Sequence, residues 1–497
     1  MTMSNDSVND EQAPAIEGEQ PAKKKKNEAT YTHGSIGWTM FRTAIEMLPA
    51  TLAMQGYNMA DTFFVGQLHD EKPLAAMGFT FPVVMLINGV FFGLGTGVMT
   101  TLAHALGRQD RKLAQKLTSS GEFLVALSAL VLGVLGMLFA KPLFGLMGAK
   151  GETLQLTCEY MDVWFLGCIT AALTFLGNKL LITVGIPRLA SIMTIVGMVL
   201  NVILDPLMIF GTTFCENWIF GKLGFHLHLD ALALPSMGIK GAAVATIISQ
   251  AVSAVFSCWL LWKNKYLEFK TIPFVELMKY WHQIVRYAIP AMLGMFLFPI
   301  ANFITTKITS KFGDAAVAGV SAGNKLQGVF FVVPMSLGIT LTPMMAQNFG
   351  ARLYGRVKTC LYMSVRFAQV YLSCAAVVCI IGAPYIVRFF SPVQEVQDVM
   401  KLFLRIVSFG FGSIEAMRFS CFCLTACGHP KMDSWVKVAR VIGFQIPLAL
   451  LGWATMNLTV LFIGTALSDI LSFALSFMLA YRLVKKFPED GMEFVEA

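Results

Sequence analysis

The chain has 497 residues, of which 56% are hydrophobic and 14% are charged, with a mean hydropathy of +0.64. A soluble domain carries about 25% charged residues, so this composition excludes an ordinary soluble protein and indicates a polytopic helical membrane protein. The net charge of +8 comes from basic residues in short loops between apolar runs. That placement is typical of topology signals, and it predicts no nucleic-acid partner.

The succession of long apolar runs along the chain predicts an all-α fold with 12 transmembrane helices in two six-helix bundles. Residues 1–39 are expected to form a disordered cytoplasmic tail, because they begin polar and without an apolar period. The N-terminal bundle then covers 40–262, a cytoplasmic linker covers 263–281, the C-terminal bundle covers 282–484 and a cytoplasmic tail covers 485–497. The spans are about 40–66, 74–104, 116–140, 155–182, 186–212, 239–262, 282–308, 317–348, 359–382, 399–426, 434–457 and 459–484.

The loops differ in their content of lysine and arginine, which predicts the orientation of the chain. Even-numbered loops are the more basic ones, and the positive-inside rule places such loops in the cytoplasm. Both termini are therefore expected to be cytoplasmic, in a multi-pass protein of the cell inner, or plasma, membrane. The basic residues include Arg108, Arg111, Arg188, Lys263, Arg352, Arg356 and Lys431.

An internal repeat with an offset of 243 residues relates the two halves. It aligns Gly95 with Gly338 and Gly107 with Gly350. The segment Gly185-Ile186-Pro187-Arg188 aligns in the same way with Gly428-His429-Pro430-Lys431. Parallel repeats of this kind are a transporter architecture in which the substrate path lies between the halves.

Asp205 lies inside the fifth predicted span. An ionised carboxylate near the centre of a membrane helix costs roughly 2.5–3.5 kcal/mol on insertion scales, so such an acid is by default a functional-site hypothesis. Asn201 lies four residues earlier on the same helical face, and Pro206 removes a backbone donor and is expected to loosen the helix. The cluster predicts a site for a proton or a small cation. The alternative is a neutral carboxyl that steadies helix packing.

A second acid, Asp61, lies toward the outer end of the first span, with Tyr57 one turn earlier. The alternatives are a helix-end acid in contact with water and an interfacial tyrosine. The repeat places Leu448 opposite Asp205, and it places Ile304, or Thr305 if one residue is gapped, opposite Asp61. These two acids therefore belong to the N-terminal half alone, and this asymmetry predicts a specialised task.

Four further polar residues have both a functional and a structural interpretation. Asn178 and Thr246 are either functional or support helix packing. Glu415 and Arg418 are three residues apart and predict an ion pair on one helix face. That pair is either structural or part of a substrate cavity or gate.

No catalytic set is evident in the sequence. Histidines are scattered, no nucleophile elbow or zinc motif occurs, and no glycine-rich run ends in Gly-Lys-Ser or Gly-Lys-Thr. The cysteines lie mostly inside predicted spans and indicate no metal site. We therefore expect a carrier and not an enzyme, with no cofactor. Without an ATP site, uphill transport must be driven by an ion gradient.

Several motifs together resemble the MATE (multidrug and toxic compound extrusion) transporters, most closely the DinF-related branch. The resemblance covers about residues 40–485. Phe298 stands roughly where the NorM-type branch carries an acid, which argues against that branch. The motifs are Tyr57-(x3)-Asp61-Thr62-(x3)-Gly66, Gly93-(x)-Gly95, Asn178-(x6)-Gly185-(x)-Pro187, Leu200-Asn201-(x3)-Asp205-Pro206 and Gly238-(x2)-Gly241-Ala242-Ala243-(x)-Ala245-Thr246.

The resemblance implies two bundles that form a V and antiport of small organic, often cationic, compounds against inward H⁺ or Na⁺. It matches Asp61 and Asp205 to the coupling acids of that branch. The polar neighbours of the cation site match Asn201, Asn178, Thr246 and Tyr57. A monomer in the lipid bilayer is expected, with H⁺ or Na⁺ as the coupling ion.

The alternative function is a lipid-linked saccharide flippase of the same superfamily. Such carriers tend to line the cavity with cations that bind a pyrophosphate. Lys307, Lys325 and Arg418 support this alternative, whereas the acids of the N-terminal half argue against it.

Overall fold

The computed structural model describes residues 29–66, 71–211, 235–268 and 272–492, without the side chains of Gln55, residues 57–62, Gly66 and Glu71. Over these ranges the chain forms helices and no strand. The N-terminal half consists of α1 (Ile36–Gly66), α2 (Glu71–Gly107), α3 (Arg111–Leu146), α4 (Gly151–Leu166), α5 (Cys168–Thr183), α6 (Pro187–Phe210) and α7 (Ile239–Lys263).

The C-terminal half repeats this order. It consists of α8 (Phe274–Thr309), α9 (Asp314–Gly350), α10 (Tyr354–Phe390), α11 (Gln394–Val407), α12 (Phe411–Ala426), α13 (Pro430–Val438), α14 (Ile446–Ala454) and α15 (Leu458–Lys485). Helices α4 with α5, α11 with α12, and α13 with α14 each make one span. The prediction of twelve spans in two six-helix bundles is confirmed.

The fourth and tenth spans are broken, although the sequence predicted continuous spans over 155–182 and 399–426. Helices α4 and α5 meet at Gly167 with a bend of 53°. Helices α11 and α12 are joined by a 3₁₀ turn that ends at Gly410, 243 residues later. A Cβ on Gly167 would lie 2.1 Å from Ile247 Cγ1. Both breaks are set by close packing at a glycine, which a pattern of apolar residues does not reveal.

The eleventh span has a π-helical segment, Ala439–Gln445, between α13 and α14. Its counterpart in the N-terminal half, α6, contains no such segment and continues through Pro206 to Phe210. The repeat therefore holds for the order of the helices and for their breaks, but this span differs between the halves.

The two halves meet along α1, α2, α8 and α9. Helix α2 packs on α8 and crosses α9, and α1 packs on α9. A Cβ on Gly97 would lie 2.4 Å from the carbonyl oxygen of Ile284, so the backbones of α2 and α8 approach closely, as small residues allow in membrane proteins. Between α1 and α9, the hydroxyl of Ser336 donates to Thr51 Oγ1 at 2.9 Å.

The segment before α1 is packed between the halves, so the predicted disordered tail over 1–39 is shorter than expected. The Tyr31 hydroxyl donates to the Ile182 carbonyl at 2.7 Å, and the Tyr31 amide donates to Gln347 Oε1 at 3.1 Å. Arg356 adds a hydrogen bond to the Gly34 carbonyl at 2.9 Å. Side chains of the C-terminal half and a backbone carbonyl of the N-terminal half thus hold a segment that has no apolar period. Residues 1–28 lie outside the described ranges.

The other two predicted segments outside the bundles are also partly ordered. Helix α8 begins at Phe274, inside the predicted linker 263–281. After α15, the Gly355 amide donates to Asp490 Oδ1 at 2.8 Å and the Tyr354 hydroxyl donates to the Met492 carbonyl at 3.0 Å. The start of the predicted tail 485–497 therefore packs against the start of α10.

Candidate functional site

Asp205, Asn201 and Thr246 form a buried polar cluster between α6 and α7. The side-chain amide of Asn201 donates to Asp205 Oδ1 at 3.2 Å and lies 3.4 Å from Thr246 Oγ1. Asp205 and Asn201 are wholly buried and Thr246 is 4% exposed. The structure therefore brings these three predicted residues together. A buried carboxylate needs such donors, because burial of an unpaired charge is costly.

Local sequence explains how the cluster forms. Asn201 and Asp205 are one turn apart on α6, so their side chains meet on one face. Small residues at the start of α7 let its backbone approach α6, and a Cβ on Gly241 would lie 2.3 Å from the Met208 carbonyl oxygen. That approach brings Thr246 within reach of Asn201. Carboxylate, amide and hydroxyl oxygens are suited to a proton or a hard cation such as Na⁺.

The second predicted acid, Asp61, and its neighbour Tyr57 lie on α1. Their side chains lie outside the described part of the structure. Helix α1 packs along α6, and a Cβ on Gly56 would lie 3.2 Å from Met198 Cε. This segment of α1 is therefore a neighbour of the helix that carries Asp205. The roles of Asp61 and Tyr57 stay predictions.

Asn178 is placed apart from the buried cluster. Its amide lies 3.4 Å from Thr194 Oγ1 on α6. Thr194 is two turns before Asn201, about 10 Å along the helix axis. Asn178 Oδ1 is buried and accepts no hydrogen bond from the described residues. Among the described residues, Asn178 therefore contacts the same helix as the cluster but not the cluster itself.

The predicted ion pair on α12 is present. Arg418 Nη1 lies 2.8 Å from Glu415 Oε2, with the Glu415 side chain wholly buried and the Arg418 side chain 34% exposed. The carboxylate of Glu415 is therefore enclosed by protein, whereas the guanidinium of Arg418 is partly exposed.

Two further ion pairs of the same kind lie in the C-terminal half. Lys437 Nζ is 2.8 Å from Asp433 Oδ2, and Arg440 Nη2 is 3.0 Å from Asp469 Oδ1. In both pairs the acid is more buried than its cation. The C-terminal half therefore also carries buried acids, at positions other than those that the repeat places opposite Asp205 and Asp61.

Two charged residues within the N-terminal half were also missed. Glu122 on α3 is 7% exposed, and neither of its carboxylate oxygens has a hydrogen-bond partner among the described residues. Lys179 on α5 donates to Thr96 Oγ1 at 2.8 Å and to the Phe92 carbonyl at 3.1 Å. Each is a charged residue inside a predicted membrane span, and this is the sequence signal that could have identified them.

No group of three or more His, Cys, Asp or Glu side chains that could hold a metal ion occurs within the described ranges. The clusters of this structure instead combine one acid with amide, hydroxyl or cationic partners. Side chains of these types can hold polar groups or small ions.

Comparison with known proteins gives a family and several relatives. A family model described as MatE matches residues 48–207 and 290–451. The FAD transporter of Shewanella oneidensis is 28% identical over 449 residues, which are 90% of this chain and 95% of the relative. The multidrug export protein MepA of Staphylococcus haemolyticus is 24% identical over 379 residues, which are 76% of this chain and 78% of the relative.

Solved structures share the fold. The MATE transporter VcmN of Vibrio cholerae, in its bent form, superposes with a TM-score of 0.81 at 23% identity, over 90% of this chain and 97% of that one. A MOP superfamily transporter of Pyrococcus furiosus superposes with a TM-score of 0.80 at 21% identity, over 94% and 99% of the two chains.

Proposed function

The chain belongs to the MatE family of membrane transporters, and from that premise we propose that it exports small organic compounds in exchange for inward H⁺ or Na⁺. The observation that carries the proposal is the buried cluster of Asp205, Asn201 and Thr246. The export runs outward across the cell inner membrane, with both termini in the cytoplasm, as the basic loops predict.

The coupling follows from the cost of burying a charge. An ion that enters from outside neutralises Asp205 and removes the desolvation cost of its carboxylate. Helices α1 and α6 can then repack and release the substrate outward. Substrate that enters from the cytoplasm favours the ion-free state. Ion and substrate affinities differ between the two conformations, and this coupling is reciprocal.

The named relatives indicate two substrate classes for this carrier. MepA is named for multidrug export and the Shewanella relative for FAD, a dinucleotide with two phosphates. In these three pairs of the C-terminal half, the more exposed member is the cation, Arg418, Lys437 or Arg440. That arrangement supports a flavin nucleotide as a second candidate substrate, beside organic cations.

The flippase alternative receives less support. Of the three cations that favoured it, Lys307 is exposed near the end of α8, and Lys325 is exposed about three turns into α9. Of the three, only Arg418 lies deep in a helix bundle, and a single cation does not line a cavity.

The test is export from proteoliposomes that contain the purified chain, with ethidium and FAD as separate substrates and an imposed H⁺ or Na⁺ gradient. Asp205→Asn is expected to abolish gradient-driven export of both compounds. Asp162→Asn is the matched control, because it makes the same chemical change at an exposed acid of α4. Undiminished gradient-driven export by the Asp205→Asn protein would overturn the mechanism.

A further inference from the structure

Each half of the protein carries a cation and a phenylalanine one helical turn apart, at positions that the repeat relates. In the N-terminal half these are Phe175 and Lys179 on α5, and the offset of 243 residues takes them to Arg418 and Phe422 on α12. The order of cation and ring is exchanged between the halves. Lys179 Nζ lies 5.0 Å from the centre of the Phe175 ring, and the guanidinium carbon of Arg418 lies 6.0 Å from that of Phe422.

Lys179 is held by neutral groups. Its ammonium donates to Thr96 Oγ1 and to the Phe92 carbonyl, and it lies 3.8 Å from the centre of the Phe92 ring. No carboxylate of the described residues forms a salt bridge with it. Oxygen dipoles and ring faces compensate a buried ammonium only partly, so the charge is available to an anion.

Arg418 lies on a partly exposed stripe of α12. Along α12, from Phe411 to Ala426, every residue is buried except Ile414, Arg418 and Phe422. These three are spaced by four residues and share one face. Arg418 and Phe422 of this partly exposed stripe lie beside Gly338 of α9, one of the helices along which the two halves meet. Glu415 binds Nη1 of Arg418 from behind, and a guanidinium carries five N–H donors in a planar fork suited to carboxylate or phosphate.

Both pairs lie against the two central helices at equivalent glycines. A Cβ on Gly95 of α2 would lie 3.1 Å from Lys179 Cδ, and a Cβ on Gly338 of α9 would lie 3.2 Å from Phe422 Cε2 and 4.0 Å from Arg418 Nη2. Helices α2 and α9 contact each other, and α5 also contacts α9. The two cations therefore lie on either side of the boundary along which a substrate would pass.

We propose that Lys179 and Arg418 form a two-point binding site for an organic anion that carries a phosphate or carboxylate beside an aromatic ring. The two cations bind the acidic group, one from each half, and the rings of Phe92, Phe175 and Phe422 contact the flat part of the ligand. The assignment rests on the proposed function, since the ligand is the exported compound. In addition, the site is expected to bind an aromatic compound with an acidic group more tightly than the same compound without that group.

The experiment is equilibrium binding to the purified full chain in detergent, followed by flavin fluorescence, with FMN and riboflavin as probes. These compounds have the same ring system and differ by one phosphate. FMN is expected to bind at least about ten-fold more tightly than riboflavin, with the difference reduced by salt because it is electrostatic. Equal affinities, or no binding of FMN, would overturn the proposal.

Variants then assign the selectivity to the two cations. Lys179→Gln is expected to weaken FMN binding about ten-fold and to leave riboflavin binding within about two-fold. The double variant Glu415→Gln with Arg418→Gln is expected to do the same, and it avoids leaving a buried acid without its partner. Lys263→Gln is the matched control, because Lys263 is an exposed lysine whose Nζ lies 4.7 Å from the ring centre of Trp259. The assignment would be contradicted if the Lys179→Gln variant and the Glu415→Gln, Arg418→Gln double variant both bound FMN with the wild-type affinity.

The Asp205→Asn protein separates this proposal from the proposed function. It is expected to keep the preference for FMN although it no longer couples export to an ion gradient. A protein that exports against a gradient and yet binds riboflavin as well as FMN would refute the anion site alone.

Discussion

Gly107 of α2 and Gly350 of α9 each pack against the backbone of the other's helix. A Cβ on Gly107 would lie 2.1 Å from the carbonyl oxygen of Gln347, and a Cβ on Gly350 would lie 2.5 Å from that of His104. The two glycines occupy equivalent positions of the repeat, at the predicted cytoplasmic end. Beside them, the imidazole Nε2 of His104 lies 2.7 Å from the Ala426 carbonyl oxygen. The halves are therefore closed at this end by contacts that only glycine permits.

Alanine at either glycine is expected to open this end. A Cβ closer than 3.0 Å to a backbone atom forces a displacement, so Gly107→Ala or Gly350→Ala should favour the conformation in which the halves are apart. Buried Cys427 lies beside this contact, and its alkylation rate, read by mass spectrometry, should rise about ten-fold, which corresponds to roughly 1.4 kcal/mol. Gly78→Ala is the control, since nothing lies within 4 Å of its added Cβ. An unchanged rate in both variants would contradict this role.

Asn201→Ala is expected to tighten proton binding at Asp205 without removing the acid, because the ion-free carboxylate loses a hydrogen-bond donor. The substitution deletes the amide that donates to Asp205 Oδ1, and a buried acceptor that loses its partner costs about 1–3 kcal/mol. The ion concentration for half-maximal exchange should therefore shift by about ten-fold or more in proteoliposomes. Thr194→Val, which removes only the hydroxyl near Asn178, should leave that concentration unchanged. An equal shift in both variants would argue against a specific role for Asn201.

Tyr31→Phe is expected to loosen the segment that joins the halves before α1. Burial raises the pKa of Tyr31, so its hydroxyl remains a neutral donor to the Ile182 carbonyl. Loss of this hydrogen bond should cost about 1 kcal/mol and speed hydrogen exchange of the amides in residues 29–34. Thr39→Val removes an exposed bond within one helix and should not change that rate. Equal protection in Tyr31→Phe and wild type would show that the hydroxyl does not hold the segment.

Asp469→Asn is expected to destabilise the C-terminal bundle. The substitution leaves Arg440, 20% exposed and 3.0 Å from Asp469 Oδ1, without its counter-charge. Breaking one partner of a buried pair costs about 3 kcal/mol or more, so thermal unfolding in detergent should occur at a clearly lower temperature. The double variant Arg440→Gln with Asp469→Asn should recover part of the loss. A double variant less stable than Asp469→Asn would contradict this account.

Much of the fold could be predicted because a bilayer restricts the choices. Long apolar runs must become helices, since backbone groups in hydrocarbon have no other hydrogen-bond partners. The offset of 243 residues then assigned the helices to two equivalent halves. The spacing of Asn201 and Asp205 placed both on one face of α6, and the small residues before Thr246 indicated close packing.

The breaks at Gly167 and Gly410, and the packing of Tyr31 between the halves, could not be predicted in this way. Each depends on contacts between residues far apart in the chain, such as that of Gly167 with Ile247 or of Tyr31 with Gln347. A periodic pattern reports which face of a helix is apolar, but it does not report which helix will cover that face.

The amino-acid sequence by itself determined that this chain is a duplicated helical membrane protein with a carboxylate inside a span, because hydrophobicity and charge are properties of single residues. Only the tertiary structure decided which charges are compensated. It paired Glu415 with Arg418, left Lys179 among neutral oxygens and rings, and brought Thr246 to Asn201. Compensation of a charge depends on distances of a few ångströms between different helices, and those distances are set by packing.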